Sequence, residues 1–288
     1  MNNAAILNKF SLINKIQNNN GLNTQNNVIS FGNRTCYKKL QRIIENDSKQ
    51  PEPVILSLKE GFLQKAIKLF KEEKVVTAGI AGESNSGKTT LTEKIVEGIR
   101  GVAGEKTVSV VNTDNYYKDF SALVRKLGGF VQVLQSGYSL DVPKAVDLKQ
   151  LRIDCKKLKQ GIAVKIPEYK RDDTGISIPA AIPIKSAKLV ISEGLFNLHP
   201  RVRDAFDIKL YVHTPDEVIK DRWYMRAGKS PFDKNDETHF HFQDVIAKAI
   251  KNIRPTKASA DVILNGKASI QSVQELIKNI YKTIKNGH

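Results

Sequence analysis

The chain has 288 residues, 40% of them hydrophobic and 26% charged, an ordinary globular usage that can bury a core without disulfide or metal staples. Its 46 Lys+Arg against 30 Asp+Glu give a formal charge of +16, which favours anionic partners: phosphates, nucleic acid or an acidic membrane face. Cys36 and Cys155 lie far apart without CxxC or Cys/His spacing, which argues against a disulfide framework or zinc module, and no apolar run approaches the roughly 18 residues of a membrane span. The expectation is a soluble, cytoplasmic protein, with self-association left open.

Residues 1–50 are rich in asparagine, with Asn18, Asn19, Asn20, Asn23, Asn26 and Asn27 crowded together and no acid before Glu45. So polar a stretch buries too little apolar surface to offset ordering entropy, and a disordered N-terminal extension is expected. An organellar transit peptide would share the missing acids but should be rich in Arg and Ser, so a plain flexible extension is preferred. Within 51–74, Phe62, Ala66, Ile67 and Phe70 fall at helical spacing with lysines between them, predicting an amphipathic helix leading into the main domain.

From 75 to 288 strands and helices alternate. Buried-strand candidates run over 75–80, 107–111, 189–192, 208–212 and 260–264, and Leu91, Ile95, Val96 and Ile99 mark a helix after the first of them. Near-continuous apolar strands separated by helices predict one α/β domain with a parallel sheet covered on both faces.

Between the first strand and its helix lies Gly82-Glu83-Ser84-Asn85-Ser86-Gly87-Lys88-Thr89, a full match to GxxxxGK[ST] in the strand-before, helix-after context that gives the pattern meaning. The glycines let successive backbone N–H groups point at phosphate oxygens, and the helix adds its positive N-terminal end. Residues Gly82 to Thr90 are therefore the expected ATP or GTP cradle, with Lys88 reaching the β/γ-phosphates and the Thr89 hydroxyl on Mg²⁺. Asp114 and Glu193 end two neighbouring strands. One such carboxylate can take the proton of an attacking hydroxyl while the other supports Mg²⁺.

Further along, Thr214-Pro215-Asp216-Glu217 reads as a helix start with Thr214 as N-cap. Arg222 and Arg226 share a face of that helix and are candidates to close over the triphosphate, with Lys229 beyond them. His239 and His241 lack a third ligand at metal spacing and read as surface or packing residues; Trp223 reads as packing.

The ordered set of these segments resembles the uridine kinases and related phosphoribulokinases. It comprises Gly82–Thr90, Asp114-Asn115-Tyr116-Tyr117, Asp141-Val142-Pro143, Pro167-Glu168-Tyr169, Glu193-Gly194-Leu195-Phe196 and Pro255-Thr256-Lys257 with Ala260-Asp261-Val262-Ile263. The resemblance implies a P-loop NTPase fold with a helical lid, Asp114 as general base, Tyr117, Asp141 and Tyr169 on the acceptor side, and Glu193 supporting Mg²⁺. Nucleoside kinases of this group usually follow the Pro-x-Tyr tyrosine with an aromatic and a histidine, where this chain has Arg171 and Thr174. The Asp expected after the second lid arginine is Ala227. An arginine suits a phosphate where an aromatic suits a base, so Arg171 raises a phosphorylated-sugar acceptor as the alternative to uridine or cytidine. Two other classes compete: a nucleic-acid-associated P-loop protein, motivated by the charge but lacking any recognition motif, and a kinase-derived binding module.

Overall fold

The computed structural model describes residues 31–228 and 237–286, and the side chains of all of these except 31–33 and 237–240. In chain order the elements are α1 (Phe31–Ser48), β1 (Ile55–Leu58), α2 (Phe62–Glu72), β2 (Val76–Gly82), α3 (Lys88–Ala103), β3 (Val108–Asn112), α4 (Ser121–Leu127), α5 (Phe130–Gln135), α6 (Leu148–Lys159), β4 (Val164–Tyr169), β5 (Ser177–Ile184), β6 (Leu189–Gly194), β7 (Ile208–His213), α7 (Asp216–Ala227), α8 (Glu237–Asn252), β8 (Val262–Asn265) and α9 (Ile270–Lys285).

Six strands form one sheet in the order β1-β8-β7-β2-β6-β3. The five strands expected from sequence, β2, β3, β6, β7 and β8, pair in parallel; α helices lie on the connections from β2 to β3, β3 to β6 and β7 to β8, while β6 reaches β7 through a loop with one short 3-10 turn. β2 and β6 are buried at every position, as two-sided coverage requires. Leu91, Ile95 and Ile99 of α3 pack with Val273 and Leu276 of α9 in the apolar cluster on one face. On the other face, Leu151, Cys155 and Leu158 of α6 pack with Val111, Val190 and Phe206. Both cysteines are free and buried.

Three expectations need correction. The sheet is mixed: β1 adds an antiparallel edge, Ile55 opposite Leu264 and Leu58 opposite Val262, and β4 with β5 form a separate antiparallel ribbon. The 51–74 segment therefore holds a strand as well as its helix. The third correction concerns residues 1–50: those at 31–48 are helical, not disordered, while 1–30 lie outside the described residues. Average composition hid an apolar spacing of four, Cys36, Leu40 and Ile44, all buried. Cys36 and Leu40 pack with Ile67 of α2 and Ile284 of α9, and such tertiary cover is what holds most short helices. In the last turn of α1, both Asp47 oxygens accept backbone N–H groups, from Val54 at 3.0 Å and Ile55 at 2.9 Å, which fixes the turn into β1.

Candidate active site

The loop between β2 and α3 has the geometry that the motif predicts. Asn85 and Gly87 have φ of 60° and 86°, left-handed values that turn the backbone back on itself before Lys88 opens the helix. A Cβ on Gly82 would stand 2.7 Å from the Ser86 hydroxyl. The loop is also braced from outside. The Thr214 hydroxyl donates to the Ser86 carbonyl at 2.7 Å, so Thr214 is not the cap of α7; Pro215 holds that position with no side-chain cap. Gly266, just past β8, lies so close that a Cβ there would fall 2.3 Å from the same carbonyl.

Asp114 and Glu193 are brought together by a tight contact. β3 and β6 pair with Asn112 opposite Glu193, and a Cβ on Gly194 would sit 2.4 Å from that of Thr113, so only glycine fits after Glu193. The Asn112 side chain accepts from the Asp114 N–H at 2.8 Å and fixes the turn that carries the acid. Below them, buried Asn197 accepts from Thr113 and Ser192 hydroxyls and donates to the Ile80 carbonyl, tying β2, β6 and the Asp114 turn into one unit. Glu193 is buried and accepts from the Thr89 hydroxyl at 3.3 Å. Burial raises its pKa, Lys88 pulls it down, and the Asp114 charge raises it again.

One open cleft of about 940 Å³ is lined by Ser84, Asn85, Lys88 and Thr89 from the phosphate loop, Asp114, Tyr117, Arg171 and Leu195 beside them, and Trp223, Arg226, His241 and Asp244 from α7 and α8. Asp141 accepts from the Ser84 hydroxyl at 3.1 Å, and burial raises its pKa against that bond. Tyr117 is buried edge-on against Tyr169, with ring centroids 5.3 Å apart, and Tyr169 stacks on Phe120 at 6.1 Å. Burial pushes the Tyr169 hydroxyl up to about 12, so it stays protonated as a donor at neutral pH. Arg171 donates to Oδ2 of Asp114 at 3.1 Å.

The two candidate lid arginines separate. Arg226 lines the cleft, but Arg222 donates to the carbonyls of Gly266 at 2.8 Å and Asn85 at 3.4 Å and so braces the loop instead of covering it. Residues four apart share a helix face, yet that face meets two different surroundings. Lys229 lies outside the described residues, and the side chain of His239 outside the described side chains. His241, read from sequence as a surface or packing residue, lines the cleft and stands edge-on to Trp223 at 5.2 Å. Sequence reading missed His241, Asn197, Thr214 and Arg254, which forms a two-bond pair with Glu83. Only the 3.6-residue period of α8, which could have set His241 and Val245 on one face, offered a signal for any of them.

The donors suit a Mg²⁺ ion carried on nucleotide phosphates. Thr89 and Glu193 offer one hydroxyl and one carboxylate, and among the described residues no group of three or more His, Cys, Asp or Glu side chains could hold a metal alone. Mg²⁺ commonly takes one or two protein oxygens and completes its shell with phosphate and water.

Residues 77–271 match the model of the phosphoribulokinase/uridine kinase family. A uridine kinase of Shewanella denitrificans is 31% identical over 205 residues, 68% of this chain and 89% of its own length. One from Staphylococcus aureus is 34% identical over 188 residues, 65% of this chain and 85% of its own. A looser backbone likeness is to the phosphoribulokinase of Rhodobacter spheroides, with TM-score 0.46 and 14% identity, covering 67% of this chain and 70% of that one. The chain accordingly belongs to the phosphoribulokinase/uridine kinase family and is an ATP-dependent phosphotransferase acting on a hydroxyl group of a small molecule.

Proposed function

We propose that this chain transfers the γ-phosphoryl group of ATP to the 5′-hydroxyl of uridine or cytidine, with Asp114 as general base. The observation that carries the reading is one cleft holding both Lys88 of the phosphate loop and the Asp114 carboxylate, beside the packed rings of Tyr117 and Tyr169. Arg171 occupies Oδ2 of Asp114 and leaves Oδ1 to receive the acceptor proton. Lys88 and Arg226 supply positive charge for the transferring phosphoryl oxygens, and the loop N–H groups hold the rest of the triphosphate. Asp141, beside Ser84, is suited to accept sugar hydroxyls. Thr89 and Glu193 would hold Mg²⁺, which when bound neutralises phosphate charge.

A second reading, a phosphorylated-sugar acceptor, draws on Arg171, whose guanidinium lines the cleft where an aromatic would suit a nucleoside base. Initial rates of ATP consumption with uridine, cytidine and ribulose 5-phosphate separate the two. The expected result is turnover with the nucleosides and a loss of about 10²- to 10⁴-fold in kcat for Asp114→Asn. Turnover with ribulose 5-phosphate alone transfers the assignment to the second reading, and undiminished Asp114→Asn turnover removes Asp114 as base.

A further inference from the structure

The second residue of the phosphate loop is an acid. Glu83 is 5% exposed, and its negative charge lies in the loop that must receive a triphosphate. Arg254, in the turn just after α8, meets it with two parallel bonds: Nε to Oε1 at 3.0 Å and Nη2 to Oε2 at 3.1 Å. Tyr211 and Lys257 also lie close enough to interact with the Glu83 charge. The same guanidinium donates to both oxygens of Asp216, at 2.7 and 3.3 Å. Asp216 is the first residue of α7, which carries Trp223 and Arg226 to the cleft.

We propose that Arg254 is a positioning residue of the nucleotide site: it neutralises the carboxylate inside the phosphate loop and pins the start of α7 to that loop. Removing Arg254 leaves the Glu83 carboxyl buried without its guanidinium partner, next to where the phosphates must sit, and charges several ångströms apart are poorly screened in a partly buried site. Glu83 is then a liability for ATP binding only when Arg254 is absent, so the two positions must be coupled. The inference rests on the loop being the triphosphate site.

The test is the calorimetric Kd for ATP of the full chain and of Arg254→Ala, Glu83→Gln and the double variant. Arg254→Ala is expected to weaken ATP binding about tenfold in the native background and less than about threefold in the Glu83→Gln background, the non-additivity of a coupled pair. Equal losses in both backgrounds overturn the proposal, since Arg254 would then touch the nucleotide itself or only support the fold. Should Arg254→Ala fail to fold, the double variant decides. Folded and within threefold of Glu83→Gln it supports the coupling; unfolded or weaker, it overturns it. A native chain that binds no ATP defeats the phosphate-loop reading itself, and this inference with it.

Discussion

Asp141 is held with its pKa raised, first by burial, while the Ser84 hydroxyl bond acts in the other direction. A carboxyl whose folded pKa lies above its unfolded value contributes stability at low pH that is lost as the pH rises through the folded value. Ionising Asp141 as the pH rises therefore costs stability, as does ionising Glu193, whose pKa is raised by burial as well. Asp141→Asn should raise the melting temperature of the nucleotide-free protein at pH 7, and the gain should shrink as the pH falls through the Asp141 pKa. In the same variant kcat/KM for the acceptor should fall about 10- to 100-fold, the worth of one charged hydrogen bond. A lower melting temperature in calorimetry at pH 7 would contradict the sign.

Helix α1 lies outside the segment that matches the family, yet it is packed like a core element. Leu40 is 1% exposed among Cys36, Ile67 and Ile284. Leu40→Ala should destabilise the protein by about 2–5 kcal/mol in urea unfolding, against under about 0.5 kcal/mol for a residue on a loose tail. With no contact to the cleft, kcat should hold. The phosphate loop and α1 differ in legibility for a physical reason. The loop is a local motif, its turn set by residues within it, so eight consecutive letters suffice. α1 is helical because α2 and a helix over 200 residues away cover its apolar face, and the asparagines before it dilute every window average that includes it.

At the scale of the molecule, several of the described basic side chains are met by acids, while Lys88 and Arg226 line the cleft. Arg152 and Lys156 share Asp204, Arg254 spans Glu83 and Asp216, and Arg171 holds Asp114. No nucleic-acid recognition motif accompanies the +16 charge in the sequence. Binding of a duplex oligonucleotide should accordingly be lost between about 50 and 200 mM salt, the behaviour of phosphate contacts alone, and should not stimulate ATP consumption. Duplex-stimulated turnover that persists at the higher salt would return the nucleic-acid class to contention.

Read alone, the sequence determined the five parallel strands, the phosphate loop and the two carboxylates at strand ends, because apolar runs and short motifs act through neighbours in the chain. It also carried the resemblance that the family match bears out. Only the tertiary structure decided that Thr214 and Arg222 brace the loop, that His241 reaches the cleft, that Arg171 holds Asp114, and that Glu83 meets a partner 171 residues away. Each of these contacts joins groups far apart in the chain, and their strength depends on burial and distance, which no local pattern encodes.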